Sequence, residues 1–270
     1  AIKVANLAEL VPAPLFNSPE FTKFLLKYCK ESHIDIVIPI IDRATIALAK
    51  ASSQLKDIDV MSVVCSLEIS EIMADKVRSD EFFKRLGLKT PQHDEFPLLA
   101  KPRFGASSRG IVKLHDKEEF DFWKKRNKVE DFMVQSFIVG KEYSVDAYVD
   151  AKKRLLGSVS RVRNIVADGE VMISCTERNE KAILITEQLL KEGNWYGPLT
   201  VQVIDDGQDL WIIECNPRFG GGVTLSIEAG LNIPEWILRE SLGLALPEKF
   251  INWRDGLCMT RTRKDYFLWL

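Results

Sequence analysis

The run Leu210-Trp-Ile-Ile-Glu-Cys-Asn-Pro-Arg218 constrains this chain more than any other stretch. An apolar strand ends there with Glu214 and Asn216 two positions apart, Pro217 stops it, and Arg218 follows. Strand side chains alternate between faces, so Glu214 and Asn216 project to the same side. Two oxygen-bearing ligands on one rigid edge, followed by a guanidinium, suit a magnesium ion and a polyphosphate. Taken alone, the pair fits a solvent-facing polar edge equally well.

A chain of 270 residues, 46% of them apolar, is long enough for two or three lobes around a substantial core. Lys+Arg 37 against Asp+Glu 39 leaves no bulk charge to attract nucleic acid or an anionic membrane, so any anion site is local. No apolar run approaches the roughly 20 residues of a membrane helix. The five cysteines (Cys29, Cys65, Cys175, Cys215, Cys258) are dispersed, never in CxxC spacing, and mostly in apolar context. They predict reduced, buried thiols in a cytoplasmic protein, and no signal-peptide pattern opens the sequence. Three histidines give little support to a His triad or a multi-His metal centre.

Residues 34–39 (IDIVIP) and 60–64 predict short buried strands around a helix over 44–55, an alternation that implies parallel pairing. The first residues start near a strand with no preceding βα unit, so an upstream piece is expected to be missing. Residues 75–86 predict a helix stopped by Gly87 and Pro91. Strands follow at 96–102, 111–114, 132–137, 142–149 and 154–166, with a helix from Asp116 to about residue 126 and a turn at Asp168-Gly169. Residues 177–192 and 234–242 read as helices, 199–204 and 210–215 as a hairpin, and the tail from Gly256 as β-like.

The loop 105–110 (GASSRG) fits GxxxxG but continues with Ile111, so it is not a Walker loop. Lying between two strands, it reads as a flap whose backbone N–H groups can approach an anion, with Lys101 on the entering strand adding charge. A plain flexible hairpin is the other reading. The strand end at residues 135–142 can hold adenine through main-chain groups, and Glu142 is placed either to accept ribose hydroxyls or to stand as a solvated edge glutamate. In the hairpin, a two-residue Asp206-Gly207 turn would point Gln202 away from Glu214. A three-residue loop pairing Asp205 with Asp209 would put Gln202 on the face of Glu214 and Asn216. The Asp-Gly pair favours the first locally and the chemistry favours the second, which is the expectation adopted.

Lys76 in an ADK…F helix, KPRFGASSRGI, VQSFIVGKEYSVD, the Gln202 strand and IIECNPRFGGG stand in the order of the ATP-grasp superfamily. The chain resembles the ATP-grasp domain of the carbamoyl-phosphate synthase large chain, within the carboxylate–amine ligase group. The resemblance covers residues 75–242. It implies an α/β chain of α+β lobes, with a truncated Rossmann-like pre-ATP-grasp domain followed by a two-lobed ATP-grasp fold. The expected divisions are 1–75, 76–133 with the phosphate flap, and 134–270 with the metal hairpin.

By the same resemblance, Lys76 and Lys101 contact ATP phosphates beneath a flap that includes Ser107, Ser108 and Gly110. Gln135 and the backbone near Phe137 and Ile138 hold adenine, and Glu142 holds the ribose. Gln202, Glu214 and Asn216 bind Mg2+ or Mn2+, and Arg218 stabilises the acyl phosphate or the transferred phosphoryl group. Arg161 and Arg163 are either substrate- or phosphate-facing groups or plain outward residues of a strand; Arg163 is counted with Arg218 and Lys101 as a catalytic candidate. Relatives often carry an acid where Gln135 stands. Cys215 alternates away from its neighbours, into the core.

The implied reaction activates a carboxylate as an acyl phosphate for attack by an amine, with ATP and a divalent ion as cofactors. The partners are a small-molecule acid and amine, with neither nucleic acid nor membrane, and homo-oligomerisation is left open. A nucleotide-binding regulatory protein and a small-molecule kinase are the alternatives. Substrate-contacting loops are expected around Asp42-Arg43, residues 161–169 and residues 220–225.

Overall fold

The computed structural model describes residues 11–93, 95–105, 109–167 and 169–262. Its first part runs α1 (Glu20–Glu31), β1 (Ile36–Val37), α2 (Asp42–Lys56) and β2 (Met61–Ser62). The two strands pair in parallel, Ile36 opposite Met61, as the alternation implies. They are shorter than expected, two residues each. Pro39, which has no N–H to give a ladder, closes the first. Leu48, Ala51 and Leu55 of α2 bury against Cys29, Val60 and Val64. Helix α1 goes beyond the sequence reading. Residues 1–10, where the incomplete first unit is expected, lie outside the described residues.

Next come α3 (Leu67–Ala74) and α4 (Lys76–Arg85). Asp75 caps α4 by accepting from the backbone N–H groups of Val77 (3.1 Å) and Arg78 (3.4 Å). Gly87, at φ +72°, turns the chain out of the helix. Strands β3 (Leu98–Pro102), β4 (Val112–Leu114) and β5 (Phe132–Ser136) form a small antiparallel sheet in the order β4-β3-β5. Helix α5 (Lys117–Lys124), capped by Asp116, covers it through Phe120 and Trp123. Ser107 and Ser108 of the expected flap, and Asp168 of the expected turn, lie outside the described residues.

The larger sheet contains β6 (Lys141–Val149), β7 (Leu155–Ala167), β8 (Glu170–Thr176), β9 (Gly197–Asp205), β10 (Leu210–Asn216) and β11 (Cys258–Thr260). Its order is β10-β9-β6-β7-β8-β11, antiparallel throughout. Alternation divides its faces. Tyr143, Val145, Ala147, Val201, Val203 and Cys215 pack into the main core with Ile69, Phe82, Phe83 and Trp195. Glu142, Ser144 and Asp146 face the other way. Helix α6 (Glu180–Leu189), capped by Asn179, starts later than expected. Glu177 is held out of it by its N–H to Ser160 O (3.1 Å) and by a carboxylate that accepts from Lys141 (2.6 Å) and Tyr143 (2.5 Å). After β10 come α7 (Val223–Glu228) and α8 (Ile233–Ser241). The sequence reading did not anticipate α3 or α7.

The β9–β10 hairpin corrects the expected three-residue loop. Four residues, 206–209, separate Asp205 from its partner Leu210. Asp206 Oδ1 accepts from the N–H groups of Gln208 (2.8 Å) and Asp209 (2.7 Å), which stabilises the longer loop. Val203 lies opposite Ile212, and an unbroken ladder would then set Gln202 against Ile213, off the face of Glu214. A bulge between Ile212 and Glu214 restores the juxtaposition: Gln202 pairs with Glu214, and Thr200 with Asn216.

The thiol expectation is also corrected. Cys29, Cys65 and Cys215 are free and buried, but Cys175 and Cys258, cross-strand neighbours on β8 and β11, form a disulfide. Sequence separation of 83 residues hid that pairing. Among the described residues, no helix is long and apolar enough to cross a membrane.

Candidate nucleotide and metal site

The bulge aligns a row of polar residues across four strands. Arg161 on β7 pairs with Ser144 on β6, Ser144 with Gln202 on β9, and Gln202 with Glu214 on β10. One step along lie Asp146, Thr200 and Asn216. A cavity of about 990 Å3 opens over this face. Lys76, Gly105, Arg161, Arg163, Gln202, Glu214, Asn216 and Arg218 line it, all expected from the sequence. Helix α2 and its preceding turn close it with Ile40, Ile41, Asp42 and Arg43.

Asn216 Nδ2 donates to Glu214 Oε1 at 2.5 Å, while Asn216 Oδ1 accepts from Arg218 Nη2 at 3.0 Å. Gln202 adds an amide directly across the hairpin. One carboxylate and two amide oxygens form a hard donor set. It fits a Mg2+ or Mn2+ ion that also takes phosphate oxygens. Among the described residues there is no group of three His, Cys, Asp or Glu that could hold a metal.

Arg218 is tied in place on three sides. Nε and Nη2 donate to the Asp42 carboxylate (2.7 and 3.0 Å), Nη2 also to Asn216 Oδ1 (3.0 Å), and Nη1 to Phe219 O (3.0 Å). Asp146, fully buried, accepts from Arg161 Nε (2.8 Å), Thr200 Oγ1 (2.6 Å) and Ser226 Oγ (2.7 Å). This anchor under the site was missed from the sequence. The i, i+2, i+4 alternation of Glu142, Ser144 and Asp146 in a strand was the available signal.

Lys76 starts α4 and donates to Gly105 O at 2.8 Å, so it touches the loop expected to act as a flap. Asp75 and Arg103 fix the two ends of that connection through hydrogen bonds of 2.7 Å each. Burial raises the Asp75 carboxyl, but the hydrogen bonds from Arg103 and the Arg78 N–H outweigh it and hold the pKa below the usual range. Lys101, 8% exposed on β3, has its pKa pushed down by burial; the charge of Glu214 opposes this and that of Lys76 reinforces it. Glu142 is raised by burial, against the attraction of Arg163, whose Nε is 3.0 Å away.

Lys101 and Gly110, expected at the phosphates, and Gln135, Phe137, Ile138 and Glu142, expected at adenine and ribose, are not among the residues that line this cavity. Gln135 is 2% exposed, and the N–H of Phe137 donates to Pro97 O at 2.8 Å. Cys215 turns into the core as expected, and burial raises its thiol pKa well above the ordinary value.

A family described as "ATP-grasp in the biosynthetic pathway with Ter operon" matches residues 128–264, about half of the chain, including β5 through β10 and Arg218. This chain belongs to the ATP-grasp family. The carbamoyl phosphate synthase large chain of Clostridium beijerinckii is 22% identical over 227 residues, 74% of this chain and 21% of that protein. The chain thus spans about a fifth of the length of the curated relatives it matches. Among solved structures, the biotin carboxylase domain of the Hydrogenobacter thermophilus 2-oxoglutarate carboxylase, in complex with MgADP and bicarbonate, superposes with a TM-score of 0.75. It is 17% identical and the match covers 92% of this chain and 62% of that one. N5-carboxyaminoimidazole synthetase from Staphylococcus aureus, complexed with ADP, gives a TM-score of 0.68 at 15% identity, covering 87% and 66%. These likenesses establish an ATP-grasp fold with an antiparallel main sheet.

Proposed function

We propose that this ATP-grasp chain is an ATP-dependent ligase that activates a carboxylate as an acyl phosphate and joins it to an amine, forming a C–N bond. The observation carrying this reading is the Gln202–Glu214 pairing created by the hairpin bulge, with Asn216 and Arg218 beside it.

In the proposed reaction a carboxylate oxygen attacks the γ-phosphorus of ATP and ADP leaves. The amine then attacks the acyl carbon, phosphate leaves, and the amine nitrogen loses a proton. Phosphoryl transfer asks the protein mainly for positioning and charge neutralisation. Gln202, Glu214 and Asn216 would hold the divalent ion, which neutralises phosphate charge when bound. Lys76 and Lys101 attract the polyphosphate, and Arg218 faces the acyl phosphate. Gln135, the backbone near Phe137 and Ile138, and Glu142 are assigned to adenine and ribose. Arg163, paired with Glu142, steadies that side. Residues 105–110 would act as the flap that excludes water from the acyl phosphate.

The same reading divides the chain at residues 75 and 133 and places its action in the cytoplasm, where ATP is available. Its partners are a small-molecule acid and amine, and a homo-oligomer is compatible with it. The test is ADP release measured over a panel of carboxylates and amines, for the wild-type protein and Glu214→Ala. The reading expects release that requires an acid and a divalent ion and falls at least about a hundredfold in the variant. Full activity in Glu214→Ala would sink it.

A further inference from the structure

Strand β11 is the shortest member of the large sheet, three residues at one edge, with Cys258 and Thr260 exposed. An edge strand of that length has few ladder bonds and little burial to hold it. Cys258 lies directly opposite Cys175, and the disulfide ties β11 to β8 covalently.

What β11 carries reaches the candidate site. Just past the strand, the Arg261 N–H donates to Met172 O (2.8 Å) and Arg261 Nη2 to Gly221 O (2.5 Å). Arg261 Nη1 lies 3.9 Å from the Glu170 carboxylate. Gly221 and Glu170 both line the 990 Å3 cavity. Within β11, Met259 Sδ accepts from Thr224 Oγ1 at 3.4 Å, in the first turn of α7. One wall of the cavity is therefore fastened to a strand that the disulfide pins. On the other side of Cys258 the chain is held independently of it. Thr176 N–H donates to Leu257 O (2.8 Å), Gly256 N–H to Thr176 O (2.9 Å) and Leu257 N–H to Thr176 Oγ1 (2.9 Å). Loss of the S–S bond would free residues 258–261 and what they touch, and leave residues 256–257 in place.

The two sulfurs are also the accessible ones. Cys258 is exposed and Cys175 half-buried, whereas Cys29, Cys65 and Cys215 are buried. Burial raises the thiol pKa of all three, Cys65 to about 11. Thiolates carry out exchange, so thiol chemistry is directed to the Cys175–Cys258 pair. In a cytoplasmic protein such a pair meets a reducing thiol pool and is seldom a permanent staple.

We propose that Cys175 and Cys258 form a reversible redox latch: the disulfide holds β11 and, through Arg261, the Gly221 wall of the cavity, and reduction releases both and weakens the cavity's hold on its substrate. The reductant is a dithiol. Its thiolate attacks the exposed Cys258 sulfur, the S–S bond breaks, and Cys175 leaves as a thiolate that takes up a proton. The second thiol of the reductant then displaces Cys258, which is protonated in turn, and closes the reductant's own disulfide. Two electrons and two protons pass to the protein and the dithiol is oxidised. The latch stands on the geometry of β11; its effect on substrate rests on the ligase reading of the cavity.

The test is hydrogen exchange of the native protein with and without dithiothreitol, with alkylation and mass spectrometry to identify the reduced cysteines. In the wild-type protein, reduction should expose Cys175 and Cys258 to alkylation while Cys29, Cys65 and Cys215 stay unmodified. Exchange should quicken at least about tenfold in peptides covering residues 258–261 and 221–225, and stay unchanged in β3–β5. Arg261→Met should exchange fast at 221–225 in both redox states while its disulfide still forms. Cys258→Ser should match the reduced wild-type protein in either buffer; where that variant does not fold, reduced wild type and Arg261→Met decide. A pair that is reduced only after unfolding, exchange at 221–225 indifferent to reduction, or a redox response that survives Arg261→Met overturns the proposal. With ADP release as the readout, reduction should raise the KM for the stimulating acid at least about fivefold, and an equal KM in the two states also overturns it. No ADP release in either state would contradict the ligase reading, and the exchange data would still decide the latch. ADP release with identical exchange in both states would sink the latch and leave the ligase reading standing.

Discussion

Asp42 and Arg218 stand 176 positions apart and meet through two hydrogen bonds, 2.7 and 3.0 Å, at the mouth of the candidate site. The contact joins the first turn of α2 to Arg218, just beyond the β9–β10 hairpin. Charge-assisted, two-pronged pairs of this kind fix a guanidinium plane as well as its position. Arg218 passes the constraint to Asn216 Oδ1, and Asn216 passes it to Glu214. Asp42 is therefore a positioning residue. In Asp42→Asn, steady-state ADP release should show kcat lower by about ten- to a hundredfold, with the KM for ATP within about threefold of wild type. A rise in KM alone would assign Asp42 to substrate binding instead.

The Asp75–Arg103 pair supports α4 and the loop carrying Gly105 at the same time. Asp75→Ala removes both the helix cap and the ion pair, and should cost about 2–4 kcal/mol in denaturant unfolding. Because the folded pKa of Asp75 is depressed, its stabilisation is complete above the unfolded carboxylate value and is lost as pH falls through the lower folded value. The wild-type minus Asp75→Ala stability difference should therefore shrink only at acid pH, and a difference that is constant down to acid pH would rule this account out.

Lys101 gives an alkaline signature. Burial lowers its pKa, so its charge is lost at lower pH than that of an ordinary lysine at 10.5. Phosphate binding favours the cation, so nucleotide affinity should fall as pH rises through the free-protein pKa, with proton uptake on binding. Calorimetry in buffers of different ionisation enthalpy measures that uptake. In Lys101→Met both the uptake and the alkaline fall should vanish, and ATP affinity at neutral pH should drop about tenfold or more. Unchanged affinity would remove Lys101 from phosphate binding.

Local signals carried much of this fold. Asp75 and Gly87 bracket α4 because a cap and a left-handed stop act on adjacent backbone, and the Glu214-Cys215-Asn216 alternation sorts two cavity-facing polar residues from one core thiol. Pairings set by distant partners were not legible. The Asp206 carboxylate lengthens the hairpin loop, and only the later bulge at Ile213 returns Gln202 to Glu214. The expected juxtaposition was therefore right and its expected geometry wrong. Asp42–Arg218 and Cys175–Cys258 depend on elements far apart in the chain. Asp146 looked like an ordinary strand residue until Arg161, Thr200 and Ser226 converged on it.

The central claim is that Gln202, Glu214 and Asn216 hold a divalent ion beside bound nucleotide, and electron paramagnetic resonance of Mn2+ tests it most directly. Mn2+ titrated with ADP into the wild-type protein should give a protein-bound spectrum distinct from Mn2+-ADP in buffer. Glu214→Gln should weaken that bound signal at least about tenfold while the fold persists. An identical bound spectrum and affinity in Glu214→Gln would contradict the account.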